Sequence, residues 1–276
     1  MNWFKLLKHD LRQGLFRWRY LLIPLLFLTP CVVCRSMLVS IERSGTWMDY
    51  MMYCFLGAKP IGYNGGEINL SLPTFWLLSM GGCLFLNLDY MLRDLTNAGQ
   101  QVIIRSGTRR GWYLAKCVWN LTSCIQYFLL VGGSVMAFTL IFGGQASLSN
   151  TPELAPALFR DVLFDPVIFP EAQAFLAAVL LPLVTLMSLS ILQMTLCLLV
   201  KPVISFLISI ALLVTAVYCN YSLVPGTGAM VIRSGFFIQG GISPETASVT
   251  ALCVIILSTA AGCLLFQHSD ILKLEE

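Results

Sequence analysis

Residues 94–116, DLTNAGQQVIIRSGTRRGWYLAK, lie between two long apolar segments and decide how the chain meets a membrane. Arg105, Arg109, Arg110 and Lys116 fall in this short connection. Clustered basic residues are retained on the cytoplasmic side, so the stretch reads as an inner loop. Gln100 and Gln101, followed by Val102, Ile103 and Ile104, have helix composition with an apolar side. Ser106-Gly107-Thr108 is a turn signal. Trp112 and Tyr113 stand where the next apolar helix begins, the usual place of interfacial aromatics. A short amphipathic helix at the inner surface with a polar turn behind it reads as a docking element. A plain membrane-surface linker carrying ordinary basic charge is the alternative.

Working outward, the chain is 57% hydrophobic and 11% charged. Soluble domains carry about 25% charged residues, so this is an integral membrane protein. Apolar spans are expected at about 20–39, 70–92, 113–142, 172–199, 203–221 and 247–266, within a single membrane domain over 1–276. Residues 1–19 place Trp3, Leu7, Leu11 and Leu15 four apart, with Lys5, Lys8, Arg12 and Arg19 on other faces. That pattern is a basic amphipathic helix lying in the headgroup region. Pro24 and Pro30 are expected to kink the first span, and Arg35 to reach its outer surface. Asp89 and Arg93, four apart, are expected to pair at the inner boundary.

The connections divide by charge. Residues 40–70 read as a mixed loop, broken by Gly62, Gly65 and Gly66. Residues 143–171 carry Glu153, Asp161, Asp165 and Glu171 between four prolines and read as a solvated outer loop. Lys201-Pro202 is the whole inner turn between two spans. Residues 222–246, SLVPGTGAMVIRSGFFIQGGISPET, are apolar yet broken by Pro225, Pro244 and glycines. Such a segment is expected to be re-entrant or to lie in the interface, with a loop packed on helix ends as the alternative. With the N-terminus inside, 12 of the 17 basic residues fall on the cytoplasmic side. Six helices with both termini cytoplasmic follow from that asymmetry.

Several chemistries have no residues to carry them. The sequence has no G-x-x-x-x-G-K-[ST] phosphate loop, no H-E-x-x-H and no G-x-S-x-G. The two histidines, His9 and His268, lie near the ends, and most of the 10 cysteines sit in or beside apolar runs. Cys31-x-x-Cys34 lacks the second pair or histidine that a metal or redox site needs. No span carries a charge near its centre, which argues against proton- or ion-coupled transport. The basic patch is too small and too close to the bilayer for nucleic acid. An intramembrane enzyme lacks an acid–base or nucleophile set.

Arg105-Ser106-Gly107-x-Arg109-x-x-Trp112-x-x-x-Lys116 resembles the segment after the second membrane helix of ABC-2 type transporter permeases. Pro225-x-x-x-x-Met230-x-x-Arg233 is similar to the element before the last helix of some bacterial members. The layout of the whole chain also resembles that family. The resemblance implies an all-α membrane subunit of an ATP-driven bacterial exporter in the cytoplasmic membrane. Its coupling helix, through Gln100, Val102, Ile103, Ile104, Arg105, Gly107 and Arg109, would dock a separate ABC ATPase. Two ATPase copies would hold the ATP and Mg; no cofactor is expected on this chain. A second permease copy, identical or not, would complete the translocator within membrane lipid. Pro225, Met230, Arg233, Phe236 and Phe237 form the candidate outer gate. The cargo is expected to be amphipathic or hydrophobic, with peptide antibiotic or drug export or immunity as the reading within that class. A non-transporting membrane scaffold or assembly factor is the alternative.

Overall fold

The computed structural model describes residues 18–59, 72–88, 90, 109–151, 153–154, 170–238 and 240–268. Helices make up the regular structure of these residues, and no β-strand occurs among them. They are α1 (Leu22–Ser40), entered by a 3-10 turn at Trp18–Leu21; α2 (Trp47–Cys54); α3 (Thr74–Leu86); α4 (Arg109–Ile141); α5 (Glu171–Leu196); α6 (Pro202–Tyr218); and α7 (Pro244–His268). Trp18–Ser40, α4, α5 and α7 are long and apolar enough to cross a membrane, with mean hydropathy from 1.9 to 2.4 over their most apolar windows. The chain is thus an all-helical membrane protein. α3 and α6 are apolar but shorter, at 13 and 17 residues.

Local chemistry explains how the prolines fit. Pro30 lies inside α1 and has no N–H for the carbonyl four residues back, Leu26. The Thr29 hydroxyl donates to that carbonyl at 3.3 Å, so the helix repairs itself without a neighbouring helix. In α5 the turn before Pro182 widens into a π-helix over Leu176–Leu180, where Leu181 N–H reaches the Leu176 carbonyl. Such bulges absorb a proline within a continuous helix. Pro202 occupies the first turn of α6, where a missing N–H leaves nothing unsatisfied.

α1 and α4 run side by side in the same direction. Tyr20, in the turn before α1, bonds Ser123 midway along α4 at 2.7 Å, and the Arg35 guanidinium stands 4.8 Å above the Phe142 ring near the ends of both helices. α5 runs against α4: Tyr113 bonds Thr195 at 2.9 Å, while Asn120 donates to the Ser190 carbonyl. α7 returns alongside α5, where Thr195 donates to the Ser258 carbonyl at 3.0 Å. The bundle therefore has a basic end, near Arg109, and a cap end, near Ser40 and Ile141. Leu252, Ile256 and Leu257 of α7, Leu129 of α4 and Leu25 of α1 are exposed, forming apolar faces suited to lipid.

The expected loop at 40–70 is corrected in part, because α2 occupies its first half. Thr46 caps α2: its hydroxyl accepts from Asp49 N–H, and the Asp49 carboxylate accepts from Thr46 N–H. This is a capping box, legible in Thr46-Trp-Met-Asp49. The solvated reading of 143–171 holds at its start, where Gly143, Gln145, Ala146 and Leu148 are exposed, and fails at 150–154: Asn150, Thr151 and Leu154 are buried, whereas Glu153 is exposed and pairs with Arg43. The N-terminal amphipathic helix, the Asp89–Arg93 pair, Asp161 and Asp165 lie outside the described residues.

Candidate functional site

The basic end is built on the first turns of α4. Gln100, Val102, Ile103, Ile104, Arg105 and Gly107 lie outside the described residues. Arg109 is described: it opens α4, is exposed and donates to the Gln267 carbonyl at 3.3 Å. Arg110 beside it donates to the Gln267 side chain at 2.9 Å. Both arginines therefore tie the start of α4 to the end of α7.

Trp112 and Tyr113, expected as interfacial aromatics, are instead fully buried. Trp112 stacks on Phe266 at 5.0 Å between ring centroids, and Tyr113 fits against Gly262. A β-carbon at Gly262 would overlap the Tyr113 hydroxyl, so the glycine sets the approach of α7 to α4. Lys116 is also corrected from a surface cation to a buried one. Its ammonium lies 5.1 Å from the Tyr90 ring and 5.0 Å from the Trp112 ring. Tyr90 in turn stacks on Trp119 at 3.6 Å. Cation–π contact offsets part of the desolvation of such a charge. The signal for it was in the sequence: Trp112 and Lys116 are four apart, on one helical face. Tyr90, on the near side of the docking stretch, thus belongs to a packed aromatic block with Trp112, Lys116 and Trp119, while Arg109, on its far side, stays exposed and tied to α7.

Between the ends, the buried polar groups of the bundle form a neutral network. Asn87 donates to Ser190 at 3.2 Å and accepts from Ser123 at 2.6 Å. Gln193 donates to the Leu84 carbonyl at 3.0 Å. These bonds join α3, α4 and α5 through amides and hydroxyls, without ionised groups. Interhelical hydrogen bonds of this kind fix packing inside a membrane. Sequence pattern missed the network because isolated Asn, Ser and Gln residues leave an apolar run apolar.

The cap end gathers three distant segments. Asp49 accepts from Thr151 N–H at 2.8 Å and from its hydroxyl at 2.6 Å, which draws the 143–151 connection onto α2. Trp47 donates to the Gly132 carbonyl of α4 at 3.0 Å. Val231 and Ile232 N–H groups donate to the Phe55 and Leu56 carbonyls. Trp76 at the start of α3 donates to the Ala229 carbonyl.

Of the candidate gate residues, Met230, Arg233 and Phe237 are buried in this cap, while Pro225 and Phe236 are half-buried. Met230 packs beside Gly57, whose φ of +79° favours a residue without a β-carbon. Arg233 uses all five of its N–H groups on main-chain carbonyls, those of Ala58, Lys59, Ala216, Val217 and Cys219, at 2.5–3.1 Å. Three of these belong to the last turn of α6 or the residue after it, where carbonyls lack helical partners and the dipole favours a cation. Burial holds the Arg233 pKa below the usual value, at about 10, so the side chain stays charged at neutral pH. The segment before α7 therefore lies across the ends of α3 and α6 and is stitched to α2. Among the described residues, no three His, Cys, Asp or Glu side chains are grouped to hold a metal ion.

The fold and its two ends define a multi-helix integral membrane protein with a hydrogen-bonded cap. Residues 27–272 match the family described as "Protein of unknown function (DUF2705)", and the chain belongs to that family. No curated protein and no solved structure matches the chain.

Proposed function

We propose that this chain is the membrane subunit of an ABC-2 type exporter in a bacterial cytoplasmic membrane. A separate ATPase, in two copies, supplies the energy, and a second permease copy completes the translocator. The observation that carries the reading is α4. This helix runs unbroken for 33 residues from Arg109 to Ile141. At 1.5 Å per residue it is about 50 Å long, against about 30 Å for a hydrocarbon core. One rigid rod thus joins the basic docking stretch to the cap, which Trp47 and the 143–151 connection hold at its far end. A push at Arg109 would reach the cap without being absorbed by a hinge. The neutral interior network supports an external energy source, since ion-coupled carriers place ionisable groups at mid-membrane.

In this reading there are six spans, with both termini cytoplasmic, and α3 and α6 are the two shorter ones. The cap faces outward, and its Pro225–Phe237 segment, packed across the helix ends, is the outer gate. The cargo is amphipathic or hydrophobic, with peptide antibiotics or drugs as the leading class. The test is reconstitution in vesicles with an ABC ATPase that co-purifies with the chain. The expected result is ATP-dependent cargo movement and altered ATPase turnover, with no hydrolysis by the chain alone. Stoichiometric ATP binding by the isolated chain, or unchanged ATPase turnover and no transport with the partner, would sink the proposal.

A further inference from the structure

A groove of about 450 Å³ opens between α1 and α4. Its walls include Phe27, Leu28, Cys31, Leu129, Ala137 and Ile141. The volume lies within the range of small-molecule sites, about 300–1,000 Å³. Gly133 and Ala137 keep the α4 wall low, and a β-carbon at Gly133 would meet no atom within 4 Å. From Leu129 to Ile141 the groove follows α4 for about 18 Å. Half of a hydrocarbon core is about 15 Å, so the groove matches the depth of one leaflet.

One helical turn beyond Cys31 stands Arg35, with its guanidinium over Phe142, the residue after Ile141. Arg35 is half-buried and makes no ion pair with a carboxylate among the described residues; Arg43, two turns on, is the arginine that pairs with Glu153. An apolar trough one leaflet deep, ending at a cation that has the Tyr50 hydroxyl beside it and no carboxylate partner among the described residues, matches one ligand chemistry. We propose that the groove between α1 and α4 binds an anionic phospholipid of the cap-side leaflet. One acyl chain fills the trough, and the phosphate rests on Arg35. The guanidinium offers paired N–H donors that suit a phosphate. A second copy of the chain is the competing occupant, because small residues such as Gly133 and Ala137 also permit close helix packing.

The test uses the full chain in nanodiscs of phosphatidylcholine mixed equally with phosphatidylglycerol. Retained lipid is counted by native mass spectrometry after gentle release. The expected result is one phosphatidylglycerol per chain, kept at least about tenfold over phosphatidylcholine, which equals about 1.4 kcal/mol. Arg35→Gln should abolish that preference, and Arg35→Lys should keep most of it. Ala137→Leu, at an exposed position, should lose the retained lipid of either headgroup, and Gly133→Phe should do the same. Thermal unfolding identifies folded variants, and Ala137→Leu decides the matter if Gly133→Phe fails to fold. Equal retention of both lipids by the wild type, or unchanged preference in Arg35→Gln, would overturn the site. So would a Gly133→Cys chain that crosslinks to its copy in full yield, with no lipid retained by the wild type.

Discussion

Arg233 donates through its guanidinium to the carbonyl of Val217, 16 residues earlier, in the last turn of α6. Its other four N–H groups reach Ala58, Lys59, Ala216 and Cys219, so one side chain joins the end of α6 to the segment after α2. Removing it leaves five carbonyls short of a donor in a buried place. Arg233→Met should destabilise the cap by at least about 1–3 kcal/mol, the cost of a buried acceptor left unsatisfied. Lysine has three donors on a point charge, so Arg233→Lys should recover only part of that. Limited proteolysis after residue 222 reads the loss: faster cleavage in both variants is expected, and wild-type resistance in Arg233→Met would refute the role.

The same residue sets a pH expectation. Its folded pKa of about 10 lies below the ordinary arginine value, because burial penalises the charge. The unfolded chain therefore binds more protons between about 10 and 12.5, and stability from this group rises with pH only inside that window. From pH 6 to 9 Arg233 is charged in both states and contributes no slope. A cap unfolding midpoint that differs in pH slope between wild type and Arg233→Met over pH 6–9 would contradict this.

Asp49 anchors a second seam. It closes the α2 capping box and takes two hydrogen bonds from Thr151. Asp49→Ala should destabilise the cap by about 2–4 kcal/mol, combining a lost N-cap with lost bonds to a charged group. Asp49 is only 1% exposed, so a cysteine there should resist impermeant thiol reagents in intact cells. Cysteines at Ala146 and Glu153, both exposed, should react from outside in a cysteine-free background. A cysteine at Thr108 should react only after lysis. Labelling of Thr108 in intact cells would invert the proposed orientation.

At the other end, Gly262→Ala should push α7 off α4, because the added carbon meets the buried Tyr113 ring. Overpacking of this kind destabilises by about 1–3 kcal/mol. The expected readout is a lowered unfolding midpoint in detergent, together with weaker ATPase association. An unshifted midpoint would mean that α7 is free to slide at this contact.

The docking stretch gives the sharpest comparison. Ile103 is an apolar anchor in the proposed coupling helix, and burying such a side chain contributes roughly 1.5–3 kcal/mol. Ile103→Asp should therefore weaken ATPase association by about one to two orders of magnitude. Arg110→Ala should change association little, since exposed polar and ionic contacts contribute about 0–1 kcal/mol. Co-purification at matched membrane levels decides it; full association of Ile103→Asp would leave the stretch a linker.

The sequence by itself determined that this is a helical membrane protein, because long uncharged runs have no other way to satisfy their backbone in lipid. It also placed the ends of the four long helices within a few residues, from the charges and prolines that bound them. Only tertiary structure decided what the polar and charged residues do. Lys116 and Arg233 look alike in sequence, yet one enters an aromatic block and the other is spent on five carbonyls. Asp49 reads as a loop carboxylate until Thr151, 102 residues away, is brought to it. Asn87 reads as a blemish in an apolar run until Ser123 and Ser190 meet it. The physical reason is one of range. Hydropathy is a local sum, whereas a buried polar group is settled by partners that chain folding alone brings within 3 Å.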